Sequence, residues 1–154
     1  MDGAVYAEWW QRLVALLIDG VIVAVPSWII MILSGLTFAL SSRIDVHTGR
    51  AIGSAGLFYG PFAFILAAGI LYRVLMEGGA RGQTVGTMIM KIRVRDVDTD
   101  ASIGYGRAFV RWLVFSLLCF VWIGGLVDAL FPLWDQRKQT IHDKAARSIV
   151  VKVP

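Results

Sequence analysis

The chain has 154 residues, of which 57% are hydrophobic and 17% are charged, and its formal net charge is +4. A mean hydropathy of +0.68 indicates a polytopic membrane protein and excludes an ordinary soluble globule. In such a chain a basic balance reflects orientation in the membrane more often than nucleic-acid binding, so no nucleic-acid partner is predicted. The length suits one domain, 1–154.

The first hydrophobic segment covers residues 13–40 and is interrupted by one charge, Asp19. It is longer than the roughly 20 residues that cross a bilayer as a helix. A carboxylate at this depth costs roughly 2.5–3.5 kcal/mol on insertion scales, so Asp19 should have a partner, be protonated or face water. The residues before the segment carry Asp2 and Glu8 against only Arg12, which does not predict a cleavable signal peptide.

Two further hydrophobic segments, 55–76 and 112–134, are separated by a polar loop, 77–111, and followed by a polar tail, 135–154. Apolar residues alternate with others over 92–97 in the loop and over 148–153 in the tail, which predicts two strands. Neither strand is stable alone, so we expect them to pair. No internal repeat is apparent in the sequence.

The distribution of charge predicts that the third segment folds back. A single crossing would divide the lysines and arginines almost equally between the two sides of the membrane. If the segment turns at Gly124-Gly125, all 15 of them except Arg43 and Arg50 lie on one side, in agreement with the positive-inside tendency. Each arm is too short for a full span, so we expect a re-entrant or broken hairpin.

The predicted fold class is therefore an all-α polytopic membrane protein. It has two full transmembrane helices, a third broken or re-entrant hydrophobic hairpin (three to four membrane helices) and a small cytosolic β pair. Both termini are expected in the cytosol.

Several short motifs follow one another along the chain. Arg12 opens the first hydrophobic segment, Asp19 lies within it, and Asp143 lies in a Gln-Thr-Ile-His-Asp run near the end. Between them come a loop motif and two arginines ahead of the third segment: Gly82, Gln83, Thr84, Gly86, Arg107 and Arg111. In this order the motifs resemble the RDD family of small bacterial integral membrane proteins, named for one arginine and two aspartates. By motif position, Arg12, Asp19 and Asp143 correspond to the signature charges.

This resemblance implies a multi-pass protein of the bacterial cytoplasmic membrane. The molecular function of the family is largely unassigned. Some members are proposed as sodium/proton antiporters, and others look like accessory subunits of larger proteins. The resemblance therefore indicates the class of protein better than its activity.

The intramembrane carboxylates have a functional and a structural interpretation. As ion or proton ligands, Asp19 and Asp128 would titrate when desolvated. In the structural interpretation Asp19 pairs with an arginine, and Asp128 reaches water at a helix end. Asp143 either caps a helix or pairs with a cation such as Arg111 or Lys144, and its functional alternative is a proton relay with His142. The candidate partners of Asp19 are Arg73, Arg107 and Arg111; we expect Arg111 or Arg107.

No catalytic motif, nucleotide loop or metal cluster is present in the sequence, and two histidines, His47 and His142, are too few to argue a metal site. We therefore expect no enzyme activity, cofactor or metal.

Three functions stay open. The first is an accessory or scaffold protein that associates with other membrane proteins or with itself. The second is a cation/proton antiporter that acts as an oligomer. The third is a module for anionic lipids, bound by a basic cytosolic cluster of Lys91, Arg93, Arg95, Arg137 and Lys138.

Overall fold

The computed structural model describes residues 5–41, 43–44, 51–52 and 55–153, with side chains for residues 5–40 and 59–153. The described residues up to Gly20 and from Ile70 onward form one compact unit, and Val21–Gly69 forms a second. In chain order the elements are α1 (Trp9–Ser41), β1 (Arg43–Ile44), β2 (Ala51–Ile52), α2 (Ala55–Gly78), α3 (Val85–Ile89), β3 (Ile92–Asp96), α4 (Gly104–Phe120), α5 (Trp122–Leu130), a 3-10 turn (Phe131–Leu133), α6 (Ile141–Ala145) and β4 (Ser148–Lys152).

Helices α1 and α2 are long and apolar enough to cross a membrane, over Trp9–Leu40 and Tyr59–Gly78. Only 6% of the apolar window of α1 and none of that of α2 is buried within the protein. Large apolar side chains such as Leu17, Trp28 and Leu66 are more than half exposed. Such faces suit hydrocarbon, because apolar surface is unfavourable in water. The predicted segments 13–40 and 55–76 both lie within these helices.

The polar connection between these two helices falls mostly outside the described residues. Its described parts are the short strands β1 and β2, which pair antiparallel with each other.

The predicted β pair is confirmed. Strands β3 and β4 are antiparallel, with Ile92 opposite Lys152 and Asp96 opposite Ser148. Every second residue of β3 is buried, and the two arginines between them are partly exposed. Because side chains alternate between the two faces of a strand, the apolar residues reach the core and the arginines do not.

The segment before α1 extends this sheet. Ala7 N donates to Val150 O at 2.9 Å, and Lys152 N donates to Val5 O at 2.8 Å. The adjoining core consists of small and β-branched residues: Ala7, Ala15, Ile92, Val94, Ile103, Ala108 and Val150. The start of α1 is therefore attached to β4.

The third hydrophobic segment is broken, and the break lies at Val121, not at the predicted glycine pair. Val121 has an extended backbone between α4 and α5 (φ −96, ψ 97). A Cβ at Gly124 would lie 2.7 Å from Leu118 O, and one at Gly125 would lie 3.4 Å from Cys119 Cα. The glycines therefore allow α5 to pack closely on α4 after the break. The depth of both helices in the membrane stays a prediction.

The short helices α3 and α6 reveal a repeat that the sequence alone did not disclose. Each follows a Gln-Thr pair whose threonine is the N-cap. The glutamine amide then donates to the first residue of the next strand, from Gln83 to Ile92 O at 2.9 Å and from Gln139 to Ser148 O at 2.9 Å. Few residue identities are shared between the copies, which is why the repeat was missed.

The strand register supports the same repeat. Val94 and Val150 occupy equivalent positions and pair with each other, as a local two-fold axis between two antiparallel strands requires. Arg12 follows Tyr6 at the same spacing as Arg111 follows Tyr105. Arg12 in α1 and Arg111 in α4 are therefore equivalent, and the order α1–α2–α3–β3 is matched by α4–α5–α6–β4.

Candidate functional site

A network of buried charges connects four helices of the first unit. Arg111 Nε donates to Glu77 Oε2 at 2.8 Å, and Arg111 Nη1 donates to Asp143 Oδ1 and, at 2.9 Å, to Ser148 Oγ. Arg12 Nη1 donates to the other oxygen of Asp143 at 2.6 Å. Asp143 is fully buried, and the side chains of Glu77 and Arg111 are less than a tenth exposed.

Local structure fixes each member of this network. Arg12 lies in the first turns of α1, Glu77 near the end of α2, and Arg111 within α4. Asp143 is the third residue of α6 and forms a capping box with Thr140, in which each side chain accepts from the other residue's backbone N–H. The carboxylate of Asp143 therefore joins helix capping to two ion pairs.

Asp19 has a separate set of partners. Its Oδ1 accepts from Tyr72 Oη at 2.8 Å and from Gly86 N at 2.8 Å, and its Oδ2 accepts from Thr84 Oγ1 at 2.6 Å. Asp19 is 4% exposed. The carboxylate thus receives three uncharged donors, including a backbone N–H at the start of α3, where the helix dipole favours negative charge.

The prediction that an arginine pairs with Asp19 is wrong. Arg111 binds Glu77 and Asp143, Arg107 binds Asp96, and Arg73 lies 3.9 Å from Glu77. The three arginines have other carboxylates as partners, and hydroxyl and amide donors already satisfy both oxygens of Asp19.

Asp128 is 1% exposed, so the prediction that it reaches water at a helix end is wrong. It accepts from His142 N at 3.0 Å and contacts His142 Nδ1 at 2.6 Å. Burial, opposed by the hydrogen bond to Asp128, lowers the pKa of His142 to about 4. The ring is therefore neutral near pH 7, with its proton on Nδ1 facing the carboxylate.

The loop motif acts through its backbone as well as its side chains. Gly82 has a positive φ of 63°, and Thr84 caps α3. A Cβ at Gly86 would overlap Ala15 O and lie 2.9 Å from Asp19 Cγ. Glycine at this position therefore lets α3 approach α1 closely enough for Asp19 to bind it.

The predicted basic cluster is divided among different contacts. Lys138 Nζ donates to Glu8 Oε2 at 2.5 Å, and Arg95 Nη1 donates to Ala80 O at 3.3 Å. Arg107, beyond the cluster, pairs with Asp96 on β3. Two of the five cations of the predicted cluster, Lys138 and Arg95, therefore have partners for their side chains within the protein.

Sequence reasoning missed Glu77, Tyr72 and Ser148 as members of these sites. Glu77 could have been found, because it stands four residues after Arg73 at the end of an apolar helix, a spacing that favours an ion pair. Tyr72 and Ser148 carried no such signal, since Asp19 lies 53 residues from Tyr72 and Arg111 lies 37 residues from Ser148.

The chemistry of the site is that of a stabilised cluster. Other groups of the protein form hydrogen bonds with each of the site's four carboxylates, Asp19, Glu77, Asp128 and Asp143. Within the described part of the chain, no group of three or more His, Cys, Asp or Glu side chains is arranged to hold a metal ion.

A sequence model of the RDD family matches residues 6–147 of the chain. Among curated proteins, the chain is 28% identical to a proline-rich antigen homolog of Mycobacterium tuberculosis and 27% identical to the proline-rich antigen of Mycobacterium leprae. These alignments cover 96% of this chain but only 64% and 61% of the two relatives, so the chain spans less than two thirds of their length. No solved structure matches the chain.

Proposed function

The chain belongs to the RDD family, and we propose that it is an accessory or scaffold component of the bacterial cytoplasmic membrane. In this proposal it crosses the membrane more than once and associates with other membrane proteins or with a second copy of itself. The family match and the two long apolar helices support the placement in a membrane.

The observation that carries the proposal is the saturation of the buried carboxylates. Asp143 holds two arginines from the two halves of the repeat, and Glu77 holds one of them. Breaking such a pair by removing one partner leaves an uncompensated buried charge, which costs roughly 3–5 kcal/mol. A carboxylate held in this way favours a fixed structure over repeated loading and release of an ion.

The exposed apolar helix faces supply the surface for association. Along α1, side chains including Val21, Trp28, Ile32 and Leu36 are more than half exposed. In a bilayer these residues contact lipid or another helix, and packing between helices there depends on van der Waals fit.

A cation/proton antiporter is the second candidate, favoured by one feature of Asp19. Its partners are two hydroxyls and an amide, and within the described part of the chain no arginine forms an ion pair with it. An ionisable side chain within a membrane helix marks a proton or ion pathway in many transporters.

Flux and crosslinking separate the two candidates. Purified protein in proteoliposomes with a sodium gradient is expected to give the same proton movement as empty liposomes. A photo-crosslinking residue at Trp28 or Leu36 in native membranes is expected to give one discrete adduct, to a second copy or to another membrane protein. Sodium-dependent proton movement in proteoliposomes, with no crosslinked adduct in native membranes, would favour the antiporter and contradict the scaffold proposal.

A further inference from the structure

A cavity of about 90 Å³ lies beside the charge network and is partly open to the surface. Its apolar wall includes Trp9, Leu13, Leu16 and Phe115. The charged groups facing it are the guanidinium groups of Arg12, Arg73 and Arg111 and the carboxylates of Asp19, Glu77 and Asp128, with His142. The cavity therefore combines an apolar surface with buried charge.

Arg12 has hydrogen-bonding capacity that the protein does not use. Its Nη1 is bound to Asp143, but its Nε and Nη2 are buried without a hydrogen-bond partner. The side chain is only 11% exposed and lines the cavity. Buried cationic donors without an acceptor are unfavourable, so an acceptor is expected beside them.

The repeat shows which acceptor Arg12 lacks. Its equivalent, Arg111, has its Nε bound by Glu77. Glu77 lies the same number of residues before Gln83 as Leu133 does before Gln139. The second half of the repeat therefore has a leucine at the position where the first half has a carboxylate. Leu133 is 56% exposed and offers no acceptor. Among the described residues, no carboxylate accepts from Arg12 Nε in the way that Glu77 accepts from Arg111 Nε.

The other charged groups leave the cavity rich in donors. Glu77 accepts from Arg111, Asp128 from His142, and Asp19 from three neutral donors. Arg73 makes a 3.9 Å ion contact with Glu77 and lies over the Phe115 ring at 5.3 Å. Arg12 Nε and Nη2 are the cavity-lining donors that remain buried without an acceptor, which favours an anion beside them.

We propose that this cavity binds the phosphate of an anionic membrane lipid, with Arg12 Nε and Nη2 donating to two phosphate oxygens. A guanidinium presents parallel N–H groups that match phosphate in this way. The apolar wall favours a lipid over free phosphate, since it can pack against the glycerol backbone and the first carbons of the acyl chains.

Retention of phosphatidylglycerol by the full chain in mild detergent, measured by native mass spectrometry against phosphatidylcholine, tests the proposal. Wild-type protein is expected to retain phosphatidylglycerol preferentially. Arg12→Lys keeps the charge but lacks the planar fork, and Leu16→Trp fills the cavity. Arg12→Lys is expected to weaken retention by roughly tenfold, the effect of losing a charge-assisted hydrogen bond. Leu16→Trp is expected to weaken retention at least as much, because its indole occupies the space of the lipid.

Leu17→Trp is the matched control, because it adds the same bulk one residue further along α1, where the side chain is 60% exposed. It is expected to retain the lipid like wild type. If Arg12→Lys does not fold, the two tryptophan variants decide. Equal retention of phosphatidylglycerol by Leu16→Trp and Leu17→Trp overturns the proposal. The proposal also fails if the wild-type protein retains no phosphatidylglycerol but inorganic phosphate raises its melting temperature.

Discussion

Asp143 accepts hydrogen bonds from two arginines, one from each half of the repeat, while it also caps α6. Asp143→Asn removes the charge that both guanidinium groups face. We expect the free energy of unfolding to fall by roughly 3–5 kcal/mol, since two buried cations lose their carboxylate. Denaturant unfolding in mixed micelles, followed by tryptophan fluorescence, measures this loss.

Asp98→Asn is the control for that variant. Asp98 pairs with Arg147 at 2.7 Å, but the two side chains are 56% and 67% exposed. Exposed pairs contribute little because water and salt screen them. A loss as large as that of Asp143→Asn would show that the buried network is not what stabilises the fold.

His142 gives a prediction about pH. Its pKa is about 4 in the folded protein against 6.5 for the free side chain, and burial is the main cause. Between these two values the unfolded chain takes up a proton that the folded chain resists, so stability is complete above about pH 6.5 and falls as the pH drops towards about 4. The melting temperature in detergent should therefore decrease over that interval.

His142→Gln removes the titrating ring and can still donate to Asp128. This variant should show a shallower decrease in melting temperature between about pH 6.5 and about pH 4. Identical pH profiles for wild type and variant would mean that His142 does not govern this part of the pH dependence.

At the scale of elements, the contact between α3 and α1 depends on Gly86. Gly86→Ala is expected to destabilise the protein by roughly 1–3 kcal/mol, because the new methyl group overlaps the backbone of Ala15 and crowds Asp19. The melting temperature in detergent measures this effect. Gly20→Ala meets nothing within 4 Å and should be neutral or stabilise α1 by up to about 1 kcal/mol. If both variants melt alike, α3 does not pack on α1 as described.

The elements whose signals are local were predictable from the sequence. The strand around Val94 alternates between buried and partly exposed residues, and the two long apolar runs exceed what a bilayer requires. The strand around Val150 is buried at four successive residues, so its signal is an apolar run and not an alternation. The break in the third segment was predicted from Gly124-Gly125, yet it lies at Val121. Glycine often marks a turn, whereas here Gly124 and Gly125 permit close helix packing just after the break.

Partners that lie far apart in the chain were not predictable in the same way. Asp19 and Thr84 are 65 residues apart, and Arg12 and Asp143 are 131 apart. A sequence shows which charges need partners, but the choice among several arginines depends on how the helices pack. Asp19 illustrates this, since three neutral donors supply what an arginine was expected to supply.

For the whole molecule, we predict that the N-terminus, the 77–111 loop and the tail share the cytosolic side. Pairing of β3 with β4, and of β4 with the residues before α1, requires these three segments to be on one side. In a Cys119→Ser background, cysteine at Ser41 should react with an impermeant thiol reagent from outside. Cysteine at the exposed Gln136 should react only after permeabilisation. Labelling of both from one side would contradict this topology.

The central claim is that the buried carboxylates hold the fold together and do not carry ions, and Asp19 tests it most directly. Asp19→Asn keeps one acceptor oxygen, whereas Asp19→Leu leaves Tyr72, Thr84 and Gly86 N without one, at roughly 1–3 kcal/mol for each unsatisfied group. The decisive measurement is melting temperature and sodium-driven proton flux on the same reconstituted samples. We predict a melting temperature that falls from wild type to Asn to Leu, with flux at the level of empty liposomes in all three. Wild-type flux that disappears in an Asp19→Asn protein of unchanged melting temperature would contradict the claim.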